Sequence, residues 1–378
     1  MFGKRITLFR LLGVEIKADA SWLFLAVLVA WSLAEGVFPE YLEGLPTLTY
    51  WTMAAVGVAG LFASIVLHEL GHSLVARRCG IPIKQITLFL FGGVAEMEEE
   101  PPSAACELAM AVAGPATSLL LAAALLAARV VLGALGAPGP LLAVVSYLTL
   151  LNTVLAVFNM LPAFPLDGGR VLRAGLWSWR GDLRWATRIA SSIGSGFGML
   201  LIVLAVMAFL RGNLLGGLWW FMIGLFMRGA SQTSYRQVLV RHVLEGEPIR
   251  RFMESDPVTV PRLASVMNLV RDYVYRYHYK MYPVVEGDRL VGCVTTRDVK
   301  EVPQDEWEQY TVGEIMGGCT PENSIHPDAD AMKALANMSR TGASRLLVVQ
   351  DGGLVGIITL KDLLGFLSLK MDLEGRTL

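Results

Sequence analysis

The chain has 378 residues, 54% of them hydrophobic and only 17% charged, with a mean hydropathy of +0.52. A soluble domain carries about 25% charged residues, so the composition excludes an ordinary soluble enzyme and describes a membrane protein with soluble mass attached. A formal net charge of −1 lacks the basic excess that nucleic-acid binding needs, so no nucleic-acid partner is expected.

Residues 1–18 carry Lys4, Arg5, Arg10 and Lys17 and read as a short amphiphilic segment. Apolar stretches follow at about residues 20–37, 51–76, 104–132, 141–161, 189–210 and 214–227, the last short for an average bilayer. The first lacks a convincing small-residue cleavage site and reads as a span rather than a removable leader. Lys and Arg cluster at the N-terminus and after the second, fourth and sixth stretches, whereas the opposite side has chiefly Arg129 and Arg211. This bias predicts six transmembrane helices in the cell membrane with both termini cytoplasmic. Cys79, Cys106, Cys293 and Cys319 form no Cys-x-x-Cys pair. They are expected as free or buried thiols rather than a disulfide frame or zinc knuckle.

The second apolar stretch contains His68-Glu69-Leu70-Gly71-His72. On a helix the two histidines stand one turn apart on one face, close enough to share a metal ion. Glu69, beside the first of them, is placed to move a proton. The competing reading is a pair of core histidines four residues apart. Ionisable groups at lipid depth cost roughly 2.5–3.5 kcal/mol each on insertion scales, which favours the metal site. His68 lies nine residues before Arg77, or about 13 Å at 1.5 Å per residue, so the site is expected inside the membrane toward the cytoplasm.

Residues 81–97 are strand-like in their first half, and Gly92-Gly93 offers a tight reversal. The segment is too short to span and too apolar for a cytosolic loop. A re-entrant β-hairpin covered by helices is expected, with a hairpin lying on the membrane surface as the alternative. Farther on, residues 159–170 read Asn-Met-Leu-Pro-Ala-Phe-Pro-Leu-Asp-Gly-Gly-Arg. Two prolines and two glycines break the fourth helix and deliver Asp167 at its cytoplasmic end. A catalytic zinc site needs a third protein ligand, and Asp167 is the candidate. Its alternative role is an N-cap for the segment that follows.

His-Glu-Leu-Gly-His followed by Asn-x-x-Pro-x-x-Pro-Leu-Asp-Gly-Gly resembles the site-2 protease family of intramembrane zinc metalloproteases. The resemblance covers about residues 1–230, including Phe91-Gly92-Gly93 and Gly114-Pro115. It implies one Zn2+ per chain held by His68, His72 and Asp167, Glu69 as catalytic acid/base, and Asn159 and Pro165 near the bound substrate. Ser118 departs from the family pattern Gly-Pro-x-x-Asn, and no PDZ-like insert is present. In such chemistry zinc polarises the scissile carbonyl and acidifies its water, and Glu69 passes the proton to the leaving nitrogen. The substrate must be unwound, because a helix hides its carbonyls in i→i+4 bonds. The edge formed by Phe91, Gly92, Gly93 and Val94 is the candidate partner for an extended segment.

Past Met227 the composition turns polar, and residues 229–248 read as a helical linker. Residues 249–378 contain a repeat: Val291-Gly-Cys-Val-Thr-Thr-Arg-Asp298 answers Val355-Gly-Ile-Ile-Thr-Leu-Lys-Asp362. The unit resembles tandem cystathionine-β-synthase (CBS) domains, expected at 249–303 and 311–370. That resemblance implies an adenine nucleotide such as ATP or AMP, with Asp298 and Asp362 at ribose hydroxyls and Thr295 and Thr359 near phosphates. A hydroxyl three residues before an acid is also an ordinary helix cap, leaving a purely structural dimerisation module as the alternative.

The expected fold is thus a polytopic α-helical membrane domain, residues 1–228, joined to a cytosolic α/β tandem CBS module. The expected function is regulated intramembrane proteolysis: hydrolysis of a membrane-tethered protein or peptide within the lipid, modulated by nucleotide, with a homodimer through the CBS pair. The alternatives are a CBS-regulated transporter or channel, since paired ionisable residues also mark ion pathways, and a pseudoprotease that only binds membrane clients.

Overall fold

The computed structural model describes residues 6–89, 92–97, 100–287 and 289–373, and the chain divides into two compact units, Met1–Tyr235 and Arg236–Leu378. The first unit opens with strands β1 (Ile6–Leu11) and β2 (Val14–Ala18), turned at Leu12 and Gly13, both with positive φ. Residues 6–11 and 14–18 of the segment expected only as amphiphilic are therefore strand. Strands β3 (Ile83–Phe89) and β4 (Gly92–Met97) pair antiparallel, and β3 pairs in parallel with β2. The result is one four-stranded sheet in the order β1-β2-β3-β4. Val14 and Ile16 of β2 and Ile83, Ile86 and Leu88 of β3 bury one face against Val66, Ala76 and Met110 from two helices.

Helix α1 (Ala20–Ser32) is capped by Asp19, which accepts from the Ser21 amide at 2.9 Å. It continues through a π turn, Leu33–Val37, into α2 (Phe38–Tyr41). Then come α3 (Thr47–Arg78), α4 (Ala104–Ala134), α5 (Gly139–Asn159), α6 (Asp167–Arg180), α7 (Leu183–Leu210) and α8 (Leu214–Leu244). Arg77 closes α3 and donates to the Leu12 carbonyl at 2.6 Å, tying the helix end to the β1–β2 turn. Segment 170–188, read only as basic, begins within the amphipathic helix α6, which Gly181 ends at φ 72.

Among the described residues, five helical stretches are long and apolar enough to cross a bilayer: Ala20–Tyr41, Thr47–Arg78, Ala104–Ala134, Gly139–Asn159 and Leu183–Leu210. The sixth expected stretch, 214–227, is the first half of α8 and is not among them. Leu108, Val112, Leu119, Leu120 and Leu126 stand exposed on α4, an apolar face suited to lipid.

One cysteine expectation is corrected. Cys79, just past α3, and Cys106, in the first turn of α4, form a disulfide with a Cα–Cα separation of 6.2 Å. They lie 27 residues apart in the chain, and the β3–β4 hairpin brings the chain back between them. Sequence spacing does not reveal such proximity. Cys293 and Cys319 are free, the first buried and the second exposed.

The second unit is a repeat in space. Its elements are β5 (Val260–Pro261), α9 (Val266–Asn268), α10 (Tyr275–Tyr277), β6 (Met281–Glu286), β7 (Arg289–Thr295), α11 (Thr296–Lys300) and α12 (Val312–Ile315). There follow β8 (Ser324–Ile325), α13 (Ala331–Thr341), β9 (Arg345–Gln350), β10 (Gly353–Thr359) and α14 (Leu360–Leu373). Each repeat builds a three-stranded sheet, β5-β6-β7 and β8-β9-β10. Leu290 and Cys293 from one sheet pack with Leu347 and Ile357 from the other. Small sheets of this size bury too little apolar surface alone, and sharing a core offsets that.

Candidate metal and active site

His68 and His72 lie on α3 with their Nε2 atoms 3.2 Å apart. The Asp167 Oδ2 is 3.1 Å from His68 Nε2 and 3.2 Å from His72 Nε2, and all three residues are buried. The structure therefore brings together three side chains whose sequence positions span about a hundred residues. Asp167 opens α6, yet the N-cap of that helix is Leu166 and no side chain caps it. The capping role considered for Asp167 is not the one it fills. Its loop, with a cis peptide at Phe164-Pro165, packs tightly against the helix start. A Cβ added at Gly168 would overlap the carbonyls of Met160 and Leu161.

The ring partners show what this cluster suits. His72 Nδ1 lies 2.7 Å from the Met110 carbonyl, which can only accept, so Nδ1 carries the proton. His68 Nδ1 lies 2.8 Å from Ser118 Oγ. With His72 Nδ1 protonated, and His68 Nδ1 protonated when Ser118 Oγ accepts from it, two Nε2 lone pairs and a carboxylate oxygen converge on one point. Such an arrangement is repulsive without a cation between them, and it is the donor set of a catalytic zinc site. The fit is close: a Cβ added at Gly114 would stand 2.6 Å from His68 Nε2 and closer still to His72.

Glu69 faces the hairpin. A Cβ built on Gly93 would come within 2.6 Å of Glu69 Cγ and 3.2 Å of Oε1. Among the described residues, strand β4, which holds Gly92, Gly93 and Val94, pairs only with β3 and lies at the end of the sheet order. Phe91 lies outside the described residues. Asn159, at the end of α5, donates its Nδ2 to the Leu155 carbonyl at 2.9 Å, and Pro165 is half-buried in the Asp167 loop.

In the second unit, Thr295 N and Oγ1 donate to Asp298 Oδ2 at 2.7 and 2.8 Å, a complete capping box at α11. Thr359 and Asp362 repeat it at α14, at 2.9 and 2.6 Å. These four residues occupy matching places in the two repeats, away from the metal cluster in sequence and fold unit.

Two partners escaped the reading of the sequence. Ser118 stands in the sequence only as a departure from a pattern, and Met110 acts through its backbone, which leaves no trace in side-chain type. A further buried pair, Glu107 and Arg173, joins α4 to α6, with Arg173 Nε 2.5 Å from Glu107 Oε1. Residues 107, 110, 114 and 118 fall on one helical stripe, but that spacing alone does not single out Met110 or pair Glu107 with Arg173.

The profile of Peptidase family M50 matches residues 56–134 and 133–205, and that of the CBS domain matches 249–305 and 312–369. Zinc metalloprotease MJ0392 of Methanocaldococcus jannaschii is 31% identical over 373 residues, covering 98% of each chain. Rip3 of Mycobacterium tuberculosis, assigned by name as a zinc metalloprotease, is 33% identical over 359 residues, covering 94% of this chain and 91% of its own. A solved site-2 protease from M. jannaschii is 29% identical, covering 62% of this chain and 96% of that one, at a TM-score of 0.43. This chain belongs to peptidase family M50. It is a zinc metalloprotease of the site-2 type with a tandem CBS module, which sets aside the transporter and channel readings.

Proposed function

We propose that the protein cuts membrane-tethered substrates at a zinc ion held by His68, His72 and Asp167. The observation that carries this is the convergence of three buried ligand atoms, all within 4.8 Å of one another, beside a glutamate. Zinc bound there supplies Lewis-acid polarisation of the scissile carbonyl and of a water. Glu69 accepts the proton of the attacking water and returns it to the departing amide nitrogen. The Nδ1 partners Met110 and Ser118 hold both imidazoles with Nε2 facing the substrate side. Among the described residues strand β4 is paired on one side only, and Gly93 of that strand lies beside Glu69. An extended substrate segment pairs there, along Phe91 to Val94, with Asn159 and Pro165 near it.

We place the protease unit in the cell membrane with six spans, residues 214–227 completing the set, and both termini cytoplasmic. In the second unit, an adenine nucleotide sits between the repeats against Thr295, Asp298, Thr359 and Asp362 and modulates cleavage. The equivalent helix starts in the two repeats support this reading, as does the pattern shared with CBS domains. The same module is the surface through which a homodimer would form. The test of the proteolytic reading is the set of membrane peptides that accumulate in cells carrying Glu69→Gln. A substrate appears uncut in the variant and cut in the wild type. Identical peptide sets, with both proteins present in the membrane, would contradict it.

A further inference from the structure

Helix α4 contributes none of the three zinc ligands, yet one stripe of it touches every element that does. Glu107, Met110, Gly114 and Ser118 are spaced by three, four and four residues and all face inward; Glu107 is 0% exposed and Ser118 1%. Ser118 Oγ meets His68 Nδ1, and the Met110 carbonyl meets His72 Nδ1. Gly114 leaves room for both Nε2 atoms. Glu107 pairs with Arg173 of α6, the helix that Asp167 opens, through both Nε and Nη2. Arg173 also stacks over Phe164, 5.3 Å from its ring centroid, and so touches the Asp167 loop as well.

We propose that this stripe of α4 is the scaffold that orients all three zinc ligands, with Ser118 and the Glu107–Arg173 pair as positioning residues. The proposal rests on the zinc reading above. A buried ion pair is a poor source of stability, because desolvation consumes most of its Coulombic gain and a well-packed apolar pair is often as stable. Glu107 Oε2 has no hydrogen-bond partner among the described residues, so this pair is not even fully compensated. What the pair supplies is direction. Helix α6 is held at its start by the packing of Gly168 against the loop and, six residues after Asp167, by Arg173 on Glu107. Two fixed points set the axis of a rod, and the axis sets where the Asp167 carboxylate points. Ser118 acts on His68: its hydroxyl, 2.8 Å from Nδ1, would accept the Nδ1–H and so leave the Nε2 lone pair facing inward. Partners of this kind typically change metal affinity by about 10- to 100-fold when removed.

The experiment uses the full-length protein in detergent, with zinc affinity read by competition with a chromophoric chelator and the melting of the metal-free protein read separately. Ser118→Ala is expected to weaken zinc by about 10- to 100-fold while the metal-free protein melts as the wild type does. Ser118→Thr, which keeps the hydroxyl, restores wild-type affinity. The apolar double variant Glu107→Leu/Arg173→Leu is expected to fold and melt normally in the absence of metal yet hold zinc about tenfold more weakly. Wild-type affinity in Ser118→Ala overturns the role of Ser118, and wild-type affinity in the double variant makes the ion pair structural only. Asp167→Ala is the control: if it too keeps zinc, the zinc reading itself fails, whatever the α4 variants do.

Discussion

Asp167 and the pair Asp298 and Asp362 look alike in sequence, each an acid at the start of a helix, and the two units use them in opposite ways. In the repeat unit both carboxylates close capping boxes, an arrangement that explains the Thr-x-x-Asp spacing with no ligand at all. In the membrane unit Asp167 leaves its helix uncapped and meets two imidazoles instead. The contrast shows where residue type speaks for chemistry. Among lipid-facing helices a buried acid has few structural duties, so its presence points to function. In a polar α/β module the same acid has an ordinary local task, and a ligand role must be shown separately.

The largest effect that would sharpen this contrast is at Gly114, where a methyl group would enter the space of both imidazoles. Overpacking of this kind costs about 1–3 kcal/mol, which, where it falls on the zinc-bound state, corresponds to roughly a 5- to 150-fold loss in zinc affinity for Gly114→Ala. Chelator competition on the purified variant checks it, and wild-type affinity would show that the site relaxes more freely than its packing suggests.

Next in size are the caps. Asp298→Ala and Asp362→Ala should each destabilise the repeat unit by about 1 kcal/mol, whereas the Asn variants, which keep an acceptor oxygen, should melt near the wild type. Calorimetric titration of the full chain with ATP, ADP and AMP separates the two duties. If the carboxylates also hold ribose hydroxyls, both Ala and Asn weaken nucleotide binding, although only Ala lowers stability. Absence of heat with all three nucleotides in the wild type would leave the module as a cap-stabilised dimerisation surface.

The smallest expected effect concerns the cysteines. Burial pushes the Cys293 thiol up to about 11, so below that pH it remains protonated and reacts slowly with alkylating reagents. Cys319 is exposed, and Cys79 and Cys106 are bonded to each other. At pH 8 in the native protein without reductant, one label per chain is expected, at Cys319. Two further labels at Cys79 and Cys106 would remove the disulfide.

The parts of the site that were legible follow local periodicity. His68 and His72 are four apart on a helix, so their shared face is implied by the backbone alone. Asp167 was legible only as a candidate, because its approach depends on how a proline- and glycine-rich loop folds back on α6. The strand character of residues 83–89 is legible in their pattern, but Gly92 and Gly93, expected as the reversal, lie within strand β4 opposite Phe89 and Leu88, and the partner of β3 in the sheet is not legible. Strand β2 pairs with β3 across about 70 residues of chain (Glu15 with Gln85), a long-range fact with a weak local pattern. The Cys79–Cys106 bond was missed for the same reason. Met110 could not have been singled out, since a backbone carbonyl has no residue type, and Glu107 and Arg173 reveal themselves only when α4 and α6 are side by side.

The central claim is that Asp167 is a ligand and Glu69 is not. Elemental analysis of the purified full-length protein decides between them. One zinc per chain is predicted for the wild type and for Glu69→Gln, with cleavage abolished in the latter, and none for His68→Ala, His72→Ala or Asp167→Ala. Full zinc in Asp167→Ala, or its loss from Glu69→Gln, would contradict the account.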